Sequence, residues 1–209
     1  MGSLKDEFHE RAKTWDDHPD RTERAAAVAR RIREEVPLTP QTRVLDFGAG
    51  TGLLGFQLID HVASVSFADP SEGMLQQVER KLRDGGYSNG HVIRFDPEAP
   101  ALPGRYDVIV SLMTLHHVAD PADVLRFLAS HLEPGGWLAV SDLDTEDGSY
   151  HDPPDPGVHA GFDRGVLLSE LHGMGFVRTR AVTPYVVRKE RPGRVREYPL
   201  FLITGRRPR

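Results

Sequence analysis

The sequence of 209 residues predicts an α/β fold, a doubly wound seven-stranded sheet, mostly parallel with an antiparallel last strand. Three observations predict it. Short apolar runs alternate with amphipathic segments between residues 43 and 141, as strands joined by crossover helices do. The first apolar run ends in a glycine-rich turn that opens a helix. The last two strand-like runs are joined directly, and strands joined in that way are antiparallel neighbours.

Each element has its own signal. The polar first 20 residues read as a short helix and a loop, and residues 22–36 as an Ala- and Arg-rich helix closed by Pro37 and Pro40. Residues 43–47 form a buried strand, 53–61 a helix and 62–68 a second strand. Ser71 caps a helix that carries Leu75, Val78 and Leu82 on one face. Residues 92–95 and 106–111 are the third and fourth strands. Asp120 and Pro121 start a helix as N-cap and first helical residue, with Val124, Leu125 and Leu128 facing inward. Pro134-Gly135-Gly136 turns the chain into a fifth strand over 137–141. Residues 144–162 are polar, proline-containing and aperiodic, the pattern of a lid or linker. A helix over 163–172 follows, stopped by Gly173 and Gly175. Strands over 177–187 and 199–204 flank a basic loop at Pro192-Gly193.

Composition narrows the function. The chain is 39% hydrophobic and 27% charged, and it has no apolar run of about 18 residues, so no membrane span is expected. The N-terminus lacks the apolar core of a signal peptide, and position 6 is Asp where myristoylation wants Ser or Thr. The absence of cysteine excludes disulfides, thiolate metal sites and cysteine nucleophiles, and it fits a cytoplasmic protein. A net charge of −5 opposes a general grip on phosphate backbones. The basic stretch over 188–209 is read as an exposed hairpin and chain end, and no nucleic-acid partner is expected.

The turn Asp46-Phe47-Gly48-Ala49-Gly50-Thr51-Gly52 carries the chemistry. Its glycines let backbone approach a ligand, and the helix behind them offers free N–H groups. A dinucleotide fingerprint fails because position 53 is Leu, and no Gly-Lys-Ser/Thr follows to make a P-loop. What remains is Asp-x-Gly-x-Gly-x-Gly. With Asp69-Pro70-Ser71-Glu72-Gly73-Met74, Asp96-Pro97, the fourth strand through Ser111, and Leu132-Glu133-Pro134-Gly135-Gly136, the chain resembles the class I S-adenosylmethionine-dependent methyltransferases over residues 40–145. Within that class it is most similar to the small-molecule group that includes ubiquinone and menaquinone biosynthesis enzymes.

The resemblance implies a Rossmann-like fold and S-adenosylmethionine as cofactor, with S-adenosylhomocysteine as product. It implies that Gly48, Ala49, Gly50 and Gly52 pack against the methionine part of the cofactor. Asp46 orients the turn or meets the amino group, and Asp69 holds the ribose hydroxyls, for which an acceptor-only carboxylate is suited. Met74 lies against the adenine ring, Pro70 and Pro97 belong to the cofactor-binding set, Asp96 accepts from the adenine amino group, and Ser111 ends the fourth strand at the site. Residues 1–209 form one methyltransferase domain: a helical cap over 1–40, a cofactor-binding core over 41–143, and over 144–209 a lid, a helix and antiparallel strands.

Methyl transfer to a hydroxyl or protonated amine needs a base, and His116 and His117 after the fourth strand are the catalytic candidates. Trp15, Asp142, Tyr150, His151, His159 and Phe162 are candidates for the substrate pocket. Asp142, Asp144, His151 and His159 are metal-capable but lack tight ligand spacing, so no metal is expected. The Asn/Asp-Pro-Pro-aromatic motif of amino-group methylation is replaced by Ser111-Leu112-Met113-Thr114, which favours a small-molecule acceptor. Two alternatives stand beside this reading: an NAD-dependent oxidoreductase, disfavoured by Leu53, and a non-catalytic module that binds S-adenosylmethionine. The sequence leaves open the acceptor atom and the oligomeric state.

Overall fold

A computed structural model describes residues 4–153, 155, 157–191 and 193–209. Pro192, at the predicted basic loop, lies outside them. The chain enters through helix α1 (Leu4–Arg11), a 3-10 turn (Ala12–Asp17) and helix α2 (Pro19–Glu35). Pro19, fixed near helical φ and lacking an N–H, starts α2 three residues before the predicted Thr22. Val28, Ala29 and Ile32 on its inner face are fully buried.

Seven strands among the described residues form one sheet in the order β3-β2-β1-β4-β5-β7-β6. They are β1 (Arg43–Phe47), β2 (Ser64–Asp69), β3 (Gly90–Arg94), β4 (Tyr106–Leu112), β5 (Leu132–Leu143), β6 (Val177–Arg191) and β7 (Arg194–Arg206). The first five run parallel, while β7 pairs antiparallel with both β5 and β6. Each strand after β1 in sequence is laid to one side of it until the chain crosses back to β4. Between β1 and β4 the connections therefore diverge and leave a crevice at the strands' carboxyl ends.

Helices close the sheet. α4 (Glu72–Asp84) is capped by the Ser71 side chain and buries Leu75, Val78 and Leu82, as their spacing predicts. Asp120 and Asp163 cap α5 (Pro121–Ser130) and α6 (Arg164–Gly173) by accepting from Asp123 and Val166 N–H, each at 2.9 Å. The faces carry separate cores, one around Leu45, Ile109, Leu128 and Phe201, the other around Val44, Val65, Phe67 and Ile32.

Four elements differ from expectation. The helix read over 53–61 is α3 (Leu53–Phe56) plus a 3-10 turn (Ile59–His61). Gln57 and Leu58 N–H reach only three residues back, to Leu54 and Gly55, which tightens the winding. β5 starts five residues before the predicted 137, and Pro134-Gly135-Gly136 bulges out between the pairs Tyr106↔Leu132 and Val108↔Trp137. β6 and β7 extend to the tip of the hairpin. There, cross-strand charges such as Arg188 and Glu197, 2.9 Å apart, replace apolar alternation.

Candidate active site

The turn between β1 and α3 is folded by close approach. Gly48, Gly50 and Gly52 have φ of +68°, +54° and +83°. At Gly48 a Cβ would stand 2.2 Å from Thr114 Oγ1, so a side chain is excluded on steric grounds as well. Gly48 and Ala49 N–H both donate to Ala68 O, and Ser111 Oγ donates to Phe47 O at 2.8 Å. Ser111 thus braces the turn from below.

Two carboxylates sit under it. Asp46, fully buried, accepts from Gly55 N–H at 2.9 Å. Burial, reinforced by the charge of Asp69 and only partly offset by that N–H, pushes its carboxyl up to about 7. Asp69, at the end of β2, accepts from Gly50 N–H through Oδ2 and from Ser71 N–H through Oδ1, both at 2.8 Å. Burial raises it too, against the pull of those two donors.

Above the turn lies a cavity of about 530 Å³ at the carboxyl ends of β1, β2 and β4. Asp46, Gly48, Ala49, Gly50, Asp69, Pro70, Met74 and Pro97 line it, and so does His117. At Gly50 a Cβ would meet only Met74 Sδ, at 4.0 Å, which leaves that side of the turn open as a cradle. Phe95, Val124 and Phe127 add an apolar wall. Gly52, Ser111 and Asp96 are not among the lining residues. Asp96 is exposed, and its Oδ1 accepts from Glu98 N–H at 3.0 Å, while its neighbours Phe95 and Pro97 form the wall.

A second chamber of about 300 Å³ adjoins the first across Phe8, Trp15, Arg21, Arg24, Met113 and His117, which line both. His116, Tyr150 and His151 border only the second. Asp142, completely buried at the end of β5, holds His116 from behind: its Oδ1 lies 2.7 Å from Nδ1, and Oδ2 accepts the His116 N–H at 3.2 Å. Burial would raise Asp142. The adjacent imidazole and the donated N–H groups of Leu143 and His116 outweigh it and hold the carboxyl below the usual range. An ionised carboxylate only accepts, so Nδ1 of a neutral His116 carries the proton and Nε2 the lone pair.

His117 differs in kind. Its ring lies 4.0 Å from that of His116, tilted by 42°, and burial, reinforced by repulsion from His116 when that ring is protonated, lowers it to about 3. A base that weak takes no proton near neutrality. Its Nδ1, like Nε2 of His151, is buried without a hydrogen-bond partner among the described residues.

Two expected substrate residues brace the site instead. His159 N–H donates to His116 O at 2.9 Å, and its Nε2 lies 3.0 Å from Val118 O. Phe162 forms an isolated bridge with Asp144 and packs on Phe201. Among the described residues no cluster of three or more His, Asp or Glu side chains is arranged to hold a metal ion, and no helix is long and apolar enough to cross a membrane.

Several functional candidates were missed by sequence reasoning. Arg24 stands one and two helical repeats before Val28 and Ile32, so an arginine in the apolar stripe of α2 was a legible signal. Lys189 shares a strand face with buried Val187 by the two-residue alternation of β6. Phe8, Arg21 and the Asp16 contact described below carried no such pattern.

The methyltransferase-domain family model matches residues 13–183. The ubiquinone biosynthesis O-methyltransferase of Thiobacillus denitrificans is 36% identical over 109 residues, which are 52% of this chain and 47% of that protein. The chain thus spans about half the length of the curated relatives it matches. Among solved structures, an S-adenosylmethionine-dependent methyltransferase from Aquifex aeolicus superposes with a TM-score of 0.68 and 22% identity, covering 95% of this chain and 97% of that one. Magnesium protoporphyrin IX methyltransferase from Synechocystis, solved with bound S-adenosylhomocysteine, gives a TM-score of 0.67 and 20% identity over 90% of this chain and 84% of that one. With the family model spanning most of its length, the chain belongs to the methyltransferase-domain family.

Proposed function

We propose that the protein transfers a methyl group from S-adenosylmethionine to a hydroxyl group of a small molecule. The observation that carries this reading is the pair of adjoining chambers, one built on the glycine-rich turn and Asp69, the other on His116 backed by Asp142.

The first chamber fits the cofactor. Asp69 spends one lone pair of each oxygen on backbone N–H groups, which leaves acceptor capacity for a pair of ribose hydroxyls. The open side of Gly50 accommodates close contact, and Met74 with Phe95 and Pro97 offers an apolar slot for a flat ring. Asp46, once ionised, suits a ligand ammonium group. When bound, S-adenosylmethionine supplies an electrophilic methyl group on a positively charged sulfonium.

The chain's own residues then have three tasks. Trp15, Phe8 and Met113 exclude water from the junction of the chambers. Asp142 fixes the ring and tautomer of His116, and Nε2 of His116 takes the proton from the acceptor hydroxyl. His117, neutral near pH 7, adds no charge of its own to the junction. Both named comparisons at the level of reaction, an O-methyltransferase and a structure holding S-adenosylhomocysteine, support the reading.

The test is transfer of labelled methyl from S-adenosylmethionine to a panel of phenolic and aliphatic hydroxy compounds. Activity on at least one is expected. His116→Ala and Asp142→Asn should each lower kcat by about 10²–10⁴-fold with little change in cofactor affinity. Unchanged kcat in both variants would contradict the role of the pair.

A further inference from the structure

The second chamber is richer in positive charge than methyl transfer requires. Arg24 is only 7% exposed, yet no carboxylate lies within ion-pair distance of it among the described residues. One terminal nitrogen, Nη1, donates to Tyr150 Oη at 3.1 Å, and Nε is buried without a partner among the described residues. Lys189, partly buried, likewise has no carboxylate partner there. Its Nζ donates to Tyr150 O at 2.7 Å and lies 3.5 Å over the Tyr150 ring. Burial and the nearby Arg191 and Arg24 charges lower the ammonium to about 8. Arg21 is partly engaged with Trp15, through its carbonyl at 2.8 Å and over its ring at 3.8 Å. The acids on the rim, Asp20 and Asp155, are solvent-exposed, where water screens them.

Buried charge is costly unless paired, so cations left without a counter-charge in a chamber wall favour an anion that enters it. His116 borders the same chamber. A row of rings joins it to these cations: His151, 5.5 Å from His116, and then Tyr150, 5.1 Å from His151 and in contact with both Arg24 and Lys189. Phe8, Trp15 and Met113 supply apolar surface alongside. One end therefore suits an anion, the middle a ring, and the far end a group that gives up a proton.

We propose that the second chamber selects a small hydroxylated acid, with its carboxylate held by Arg24 and Lys189 and its hydroxyl turned towards His116. The proposal rests on the methyltransferase reading and narrows its acceptor class.

The test is equilibrium titration of the whole protein, with and without saturating S-adenosylhomocysteine, using the three monohydroxybenzoates and their uncharged amides. Binding of S-adenosylhomocysteine is read first on the same sample. At least one acid should bind about tenfold or more tightly than its amide. Lys189→Gln should abolish that preference while leaving S-adenosylhomocysteine affinity unchanged, because Lys189 borders only the second chamber. Arg24→Gln, checked for an unaltered melting transition, should weaken the acid and not the amide. If no acid is preferred over its amide in either state, the acid-selective chamber is overturned while the proposed function stands. If S-adenosylhomocysteine fails to bind, the cofactor reading falls, and the acid preference is judged on the titrations made without it.

Discussion

At the residue scale, the site is governed by where carboxylates are buried. Asp46 and Asp142 are both buried near the carboxyl ends of their strands but are driven in opposite directions, because only Asp142 faces an imidazole and two N–H donors. The native pKa of Asp46 is about 7 against an ordinary 3.8, so the folded chain binds this proton more tightly than the unfolded one. Its stabilising contribution is complete below about pH 4 and is lost as pH rises through 7. Asp46→Asn cannot ionise. The variant should therefore gain on the wild type in thermal melts as pH is raised from about 4 to 7, by up to a few kcal/mol at the upper end. A constant difference between the two across that range would show that Asp46 is already ionised in the native state. Asp46 and Asp69 were legible in the sequence because each ends an apolar run at a glycine or proline turn. Asp96 met the same criterion and is exposed, since a carboxylate before proline also satisfies its own turn, here through Glu98 N–H.

At the element scale, the segment over 144–162 is held at its base by backbone. Asp144 bridges Phe162, Thr145 N–H donates to Phe162 O, and Glu146 N–H donates to Ala160 O. Gly161 makes this possible: its φ is +71°, and a Cβ would stand 2.0 Å from Asp144 O, a backbone atom with no side-chain freedom to retreat. Gly161→Ala should cost about 2 kcal/mol in denaturant unfolding. It should also speed amide exchange across 144–162 more than in β1 or β4, and an equal change in segment and sheet would refute this role of Gly161. The strands and helices of the core were readable because period and caps agreed at β1, α4 and α5. The base of the segment over 144–162 was not, because a single glycine in a polar stretch gives no periodic signal. The full length of the β6–β7 hairpin was hidden for a different reason: charge pairs such as Arg188–Glu197 stabilise it where apolar alternation stops.

At the scale of the whole molecule, the two chambers exist because three separate parts of the chain meet over one sheet edge. The N-terminal segment brings Phe8, Trp15, Arg21 and Arg24, the strand ends bring the carboxylates, and the segment over 144–162 with β6 brings Tyr150, His151 and Lys189. Asp16 fastens the first part to the second. It accepts from Thr51 Oγ1 at 2.6 Å and pairs with Lys81 of α4 at 2.5 Å, while Lys81 also donates to Thr51 O. Asp16→Ala should release the cap from the glycine-rich turn and speed cofactor dissociation several-fold in stopped-flow measurements, with a small effect on melting because the pair is partly exposed. An unchanged dissociation rate would mean that the cap does not gate the first chamber.

Calorimetric titration with S-adenosylmethionine of the wild type and of Asp69→Ala, the folded state of both verified by their melting curves, tests the proposal that the first chamber holds the cofactor on Asp69 and the glycine-rich turn. Micromolar binding by the wild type and at least a tenfold loss in the folded variant are expected, since a carboxylate that accepts two hydroxyl donors contributes on the order of 1.5–3 kcal/mol per bond. No binding by the wild type, or equal binding by the variant, would contradict it.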